Sequence, residues 1–273
     1  MTASFDGQAN EFDQRTGLPD AICETIVDAV LQQLSIGNES IAQVVELGAG
    51  TGQIGQHFRS DRINYVGLDN SNEMLEIFET RISKESTLSN GLFEIVSADV
   101  NERWPVNSQS THLVFSSRAI HLFDSHRICE ELSRIASPKG LVFAAGRRKR
   151  EKNSIQAIMR RQMRIFLSEQ GITGRDGQNH IVKFTKILEQ TATVHPLESK
   201  IVANWTTQRS PLDSLHAWRR KDGIAGLQIG EKTKEDVLDR LQNWAIEKFE
   251  DLSAKSIVHE SYVIDLLRIE SKT

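Results

Sequence analysis

Glu46, Gly48, Gly50 and Gly52 follow one another at two-residue spacing, directly after Val44 and Val45. A β-branched run that ends in an acid and three glycines reads as a buried strand entering a loop that touches a ligand. Glycine has no Cβ, so each can take φ > 0 and let a bound molecule approach the backbone closely. Residues 51–58 are expected to start a helix, whose unpaired N–H groups and positive dipole end would face the same loop. The chemistry implied is the holding of a nucleotide-like cofactor. Asp69 ends a second apolar run, Tyr65-Val66-Gly67-Leu68. A carboxylate at the end of a neighbouring strand can accept hydrogen bonds from two vicinal ribose hydroxyls; the alternative is an acid that caps the helix after Ser71.

The elements that must position these residues follow from hydrophobic periodicity. A leading helix carries Ile22, Cys23, Ile26, Val27, Val30, Leu31 and Leu34 after Pro19. Then come a strand at 41–47, the helix at 51–58, a strand at 63–68 and a helix from Ser71 with Met74, Leu75, Phe78 and Ile82 on one face. Strands follow at 92–97 and 112–116, a helix carries Ile128, Leu132 and Ile135, and a strand at 141–145 follows the Pro138-Lys139-Gly140 turn. Strands alternating with helices imply a doubly wound α/β fold, a mostly parallel, seven-stranded Rossmann-like sheet. Beyond residue 146 the sequence is richer in helices: one with Ile155, Ile158, Met159, Met163 and Phe166, one near 181–188, one at 211–220 and one at 237–252. Strands at 194–205 and 257–269 could close the sheet edge. The division expected is a cofactor-binding core with its N-terminal helix at 1–146, a helical lid at 147–230 and a helix and strand completing the sheet at 231–273. Glycine-rich stretches at 171–177 and 223–230 could hinge the lid.

With 273 residues, 26% charged side chains and a formal net charge of −4, the chain carries no global bias toward nucleic acid or an anionic membrane. No apolar run is long enough to span a bilayer, and residues 1–13 lack the features of a signal peptide, so a cytoplasmic protein is expected. Cys23 and Cys129 lie on apolar helix faces and read as core residues; no metal site is expected. Arg147, Arg148, Lys149, Arg150 and Lys152, then Arg160, Arg161 and Arg164, read as a solvated helix face, opposed by Glu231, Glu235, Asp236 and Asp239.

The register of the glycines separates cofactor classes. A dinucleotide fingerprint opening at Gly48 would need a glycine at position 53, which is Gln53; the formal match Gly50, Gly52, Gly55 starts two residues beyond the strand end. The in-register pattern Glu46-x-Gly48-Ala49-Gly50-x-Gly52 resembles motif I of the class I S-adenosylmethionine-dependent methyltransferases. Asp69-Asn70-Ser71-Asn72-Glu73-Met74-Leu75 is similar to the segment that follows motif I in their small-molecule members. Ser97-Ala98-Asp99-Val100 resembles their adenine-contact motif, which implies that Asp99 takes the adenine amino group and the Val100 amide a ring nitrogen; a turn-capping Asp99 is the alternative. Ala9-Asn10-Glu11-Phe12-Asp13-Gln14-Arg15 resembles their opening segment, implying that Phe12 covers the cofactor and Arg15 pairs with its methionine carboxylate. The run from Ser116 to Phe123 lacks the Pro-Pro signature of amino-methylating enzymes and resembles the type-11 small-molecule group.

What this resemblance implies is transfer of a methyl group from S-adenosylmethionine to an oxygen of a small-molecule acceptor, a carboxylate included, with S-adenosylhomocysteine as product and nitrogen or carbon as less favoured acceptor atoms. The cofactor-binding candidates are Phe12, Arg15, Glu46, Gly48, Ala49, Gly50, Gly52, Asp69, Asn70, Met74, Asp99, Val100 and Ser116. A carboxylate acceptor is ionised at neutral pH and needs no base; for a phenol or ammonium, His121 is the placed candidate. Arg118, Trp205 and Trp218 are candidates for substrate contact. The chain is expected as a monomer or homodimer without a nucleic-acid partner. Two rival readings are an oxidoreductase using a nicotinamide cofactor on a Rossmann sheet and a non-catalytic cofactor-binding or scaffold protein.

Overall fold

The computed structural model describes residues 9, 12–13, 17–34, 41–83, 91–173, 180–221, 223–224, 227 and 229–271. Seven strands form one sheet in the order β3-β2-β1-β4-β5-β7-β6: β1 Ala42–Leu47, β2 Ile63–Asp69, β3 Phe93–Ser97, β4 Leu113–Ser117, β5 Leu141–Arg150, β6 Ala192–Arg209 and β7 Ser256–Ser271. The ladders β1–β2, β1–β4, β2–β3 and β4–β5 are parallel, with Ala42 opposite Ile63 and Val44 opposite Leu113. This is the mostly parallel, doubly wound sheet that the alternating periods imply. Strand order reverses between β1 and β4, and a parallel sheet opens a crevice at the carboxyl ends of its strands at that point.

The chain forms two compact units, 1–148 with 179–203 and 262–273, and 149–178 with 204–261. These cut the chain at other points than a division at 146 and 230. The helix His180–Leu188 and the first part of β6 fall in the first unit, because Phe184, Leu188 and Ala192 pack into the same core as Phe143, Leu141 and Leu267.

In the first unit β1 is buried on both faces, as parallel strands covered by helices are. The helices flanking the sheet are α1 Asp20–Leu31, α2 Asn72–Ser83, α3 Ser125–Ile135 and α5 His180–Leu188. α3 starts where the Asp124 carboxylate accepts the His126 and Arg127 N–H groups at 2.8 and 3.1 Å, and it buries Ile128, Cys129, Leu132 and Ile135. Tyr65, Phe58, Phe78 and Phe93 form an aromatic cluster against the sheet, with Tyr65 stacked on Phe93 at 4.5 Å between centroids. Burial pushes the thiols of Cys23 and Cys129 up to about 12, so both are inert packing groups.

In the second unit α4 Ile155–Glu169, α6 Pro211–Arg219 and α7 Glu231–Lys248 enclose Met159, Met163, Leu167, Leu215, Trp218, Val237, Leu238 and Leu241. α6 is fixed at its start by a capping box between Ser210 and Asp213, with Pro211 at the first helical position.

Three expectations are corrected. No α-helix forms over 51–58: the chain turns and makes a single 3₁₀ turn, Gly55–Phe58. Gly52 sits at φ +72°, outside the helical region, and breaks the run. Residues 147–150 extend β5 instead of starting a helix, and their side chains alternate in exposure along the strand. Acids of α7 pair within their own unit. Glu235 and Asp239 pair with Arg219 at 3.3 and 2.6 Å and Glu231 with Lys234 at 2.9 Å, while Arg147 pairs with Asp265 at 2.8 Å and Arg150 lies 3.5 Å from Glu260. Among the described residues no helix is long and apolar enough to cross a membrane.

Candidate functional site

The glycine loop is built by tying its two flanks to the neighbouring strand. Gly48 and Ala49 donate their N–H groups to the Leu68 carbonyl at 2.9 and 3.0 Å, and Gly52 donates to Ala49 at 3.1 Å. Gly48, Gly50 and Gly52 all have positive φ, at +70°, +55° and +72°, but for different reasons. A Cβ on Gly48 would stand 2.7 Å from Ala119 Cβ, and one on Gly52 1.9 Å from the Phe78 ring. These two positions are glycine because the protein itself comes close. Among the described residues a Cβ on Gly50 would meet nothing within 4 Å. Gly50 therefore presents bare backbone to open space at the switch point, the one glycine of the three whose surroundings leave room for a ligand.

Asp69 fixes that backbone. Its Oδ2 accepts the Gly50 N–H at 2.8 Å and its Oδ1 the Ser71 N–H at 2.9 Å, so the acid at the end of β2 both orders the loop and starts α2. Each carboxylate oxygen carries two lone pairs, so these bonds are compatible with accepting ligand hydroxyls as well. Ala98 donates to the Asp69 carbonyl at 2.9 Å and brings the end of β3 alongside. There the Asp99 carboxylate accepts the Asn101 N–H at 2.9 Å, a turn-capping bond, and both Asp69 and Asp99 are half-buried. Asn70 is half-buried beside Asp69, while the side chains of Met74 and Val100 are buried in the interior.

Glu46 is 2% exposed and accepts the Tyr65 hydroxyl at 2.5 Å. Burial pushes its carboxyl up to about 8 against the opposing effect of the Tyr65 hydrogen bond, and the negative charge of Asp69 raises it further. A Cβ on Gly55 would lie 2.8 Å from Glu46 Oε2 and 2.4 Å from the Tyr65 hydroxyl, so Glu46 lies packed among Gly55, Tyr65 and the β1 backbone. Ser116 is fully buried and donates its hydroxyl to the Leu47 carbonyl at 3.1 Å, joining the ends of β4 and β1.

The exit of β4 adds charge. Arg118 has φ +59°, a left-handed conformation that a non-glycine residue adopts at some cost, and its N–H donates to Gly146 at 2.8 Å. Burial lowers the pKa of its guanidinium and Arg148 lowers it further, opposed by Tyr262, Cys23 and Asp13. His121 lies exposed on the short helical turn Ile120–Leu122. Trp205 and Trp218 belong to the second unit, Trp205 half-buried on β6 and Trp218 in the helical core.

Sequence reading passed over several partners of these residues. The Asp13 carboxylate accepts the Thr51 hydroxyl at 2.8 Å and pairs with Arg81, whose Nε also donates to the Thr51 carbonyl at 3.1 Å. Asp13 stood inside the Phe12-Asp13-x-Arg15 segment and was legible there. Phe12 is half-buried beside it; Arg15 lies outside the described residues. Tyr262 of β7 meets the Ser117 hydroxyl at 2.6 Å, and burial pushes its own hydroxyl pKa up.

A family model described as a methyltransferase domain, type 11, matches residues 45–144, the stretch from β1 to β5. Over that stretch, well under half of its length, the chain is similar to such a domain. Among solved structures of similar fold, the YcgJ protein of Bacillus subtilis aligns with a TM-score of 0.53 at 12% identity, over 93% of this chain and 100% of that one. A protein of Anaeromyxobacter dehalogenans described as a candidate type II methyltransferase gives 0.53 at 14% identity, over 93% and 97%. The Haloferax volcanii protein solved in complex with the Trm112 methyltransferase activator gives 0.51 at 17%, over 97% and 98%. No curated protein matches the chain. The local geometry also accounts for the second glycine register: Gly55 abuts Tyr65 and Phe78, and a 3₁₀ turn follows the loop where a dinucleotide fingerprint requires an α-helix.

Proposed function

We propose that this chain transfers the methyl group of S-adenosylmethionine to an oxygen of a small-molecule acceptor, a carboxylate foremost, as a member of the type-11 group. The observation that carries the reading is Gly50: left-handed backbone facing open space at the switch point, with its N–H fixed by the acid that ends the next strand. The Gly48–Gly52 backbone, Asp69 and Asn70, Asp99 and the Val100 amide would hold the cofactor, with Phe12 covering it and Arg15 pairing with its methionine carboxylate. When bound, the cofactor supplies an electrophilic sulfonium methyl. Glu46, Met74 and Ser116 support the loop and the strands beneath it.

The chain's own residues then have to align a nucleophile and keep water away, which is where such an enzyme gains most of its rate. An ionised carboxylate needs no proton removed. Arg118, cationic and largely desolvated at the β4 exit, supports an anionic acceptor there, because a charge in such surroundings is felt more strongly than in water. His121 would act as base for an acceptor that must lose a proton. Trp205 and Trp218 would serve substrate contact.

Calorimetry with S-adenosylmethionine and S-adenosylhomocysteine tests the reading. Binding of both is expected; folded protein that binds neither overturns it. Transfer of a labelled methyl group across a panel of carboxylates, phenols and amines then tests the acceptor, with carboxylates expected as the labelled class.

A further inference from the structure

The amino-terminal ends of β4 and β5 lie at the opposite edge of the sheet from the glycine loop, about 17 Å away along β4 at the usual rise per strand residue. A cavity of about 240 Å³ opens there, lined among others by Leu34, His112, Pro138, Lys139, Val142 and Arg268. It is smaller than the ~300–1,000 Å³ of most ligand pockets, which restricts it to a small molecule. Among the described residues no carboxylate lines it. Among the described residues the side chains of Lys139 and Arg268 make no hydrogen bond or ion pair, so the cavity presents two cationic groups to an occupant.

The third polar group is set as a donor. His112 Nδ1 accepts the Gln43 N–H at 3.1 Å, which leaves the proton of the neutral ring on Nε2. Burial and the charge of Lys139 hold its pKa below the usual histidine value, so the ring stays neutral. Leu34, Pro138 and Val142 supply apolar wall.

We infer that this cavity binds a small organic anion, a carboxylate or phosphate head on an apolar body, with the head held by Lys139 and Arg268. The site is separate from the glycine loop and does not depend on methyl transfer. β4 and β5 run from it to Ser117 and Gly146, so an occupant would sit at the root of the two strands whose far ends carry Arg118.

The test is calorimetry on the full chain at fixed low ionic strength with benzoate, phenyl phosphate and benzamide. At least one anion is expected to bind about tenfold more tightly than the neutral amide, and the tighter of the two identifies the head group. The variant carrying Lys139→Ala and Arg268→Ala is expected to lose at least about tenfold in that affinity at unchanged Tm. Absence of binding by both anions, equal binding of benzamide, or an unaffected double variant overturns the inference. Should the double variant lower Tm, the His112 ring resonances of the unsubstituted protein decide: a shift on titration with the bound anion supports the site, and no shift overturns it.

Discussion

Asp13 Oδ1 accepts the Thr51 hydroxyl at 2.8 Å, joining the segment ahead of α1 to the middle of the glycine loop across 38 positions of sequence. Arg81 of α2 closes the arrangement by pairing with Asp13 and donating to the Thr51 carbonyl. Asp13, Thr51 and Arg81 thus form a triangle in which each touches the other two, and Asp13 is its only anion. Asp13→Ala is expected to weaken S-adenosylhomocysteine binding by about fivefold, the range of one charge-assisted hydrogen bond at a partly exposed site, with a modest fall in Tm. Calorimetry beside a thermal melt checks it; full affinity in a folded variant would mean that the loop is ordered without Asp13.

Gly50 and Gly52 differ only in what surrounds them, and that separates binding from stability. Both have positive φ, so alanine costs about 1–2 kcal/mol at either position. At Gly52 the new methyl also strikes the Phe78 ring, and overpacking brings the loss to roughly 3 kcal/mol or more. At Gly50 it enters open space. Gly50→Ala is expected to stay folded and lose at least about tenfold in cofactor affinity, whereas Gly52→Ala should lose stability first. Denaturant melts and titrations on the two variants measure both effects; the reverse pattern would remove Gly50 from the ligand face.

The sheet was legible because each of β1, β2 and β4 is a short apolar run with a turn signal on either side, and runs buried on both faces leave little freedom in assignment. Asp69 was legible for the same reason: it ends such a run. The segment after Gly52 was not. Its apolar spacing fits a helix, but a left-handed Gly52 and a Gly55 pressed against Tyr65 and Phe78 hold the chain in turns. Residues 147–150 were misread because four long cations look alike on a helix and on an exposed strand end. Tyr262 and Ser117 could not be paired from sequence, since 145 positions separate them and only the placement of β7 beside β5 brings them together.

Asp69 serves loop and ligand together, and the two roles call for different substitutions. Asn keeps one oxygen acceptor for the Gly50 or Ser71 N–H but carries no charge; Ala keeps neither. Asp69→Asn is therefore expected to melt near the parent protein and bind S-adenosylhomocysteine more than about tenfold more weakly, and Asp69→Ala to lose both affinity and stability. If Asp69→Asn binds like the parent in calorimetry, the carboxylate has no part in holding the ribose.

Glu46 gives the fold a pH dependence of unusual sign for a carboxylate. Its folded pKa, about 8, stands above the ordinary value of 4.5, so between these limits the folded state holds a proton that the unfolded chain releases. The stabilisation is complete below about pH 4.5 and is lost as pH rises toward 8, with a slope of at most about 1.4 kcal/mol per pH unit from this one group. Glu46→Gln keeps the carbonyl oxygen for the Tyr65 hydroxyl and cannot ionise. Denaturant melts at several pH values across that window are expected to show the parent protein losing stability relative to Glu46→Gln as pH rises. Parallel curves for the two proteins would show that Glu46 ionises in the folded state as readily as in the unfolded chain.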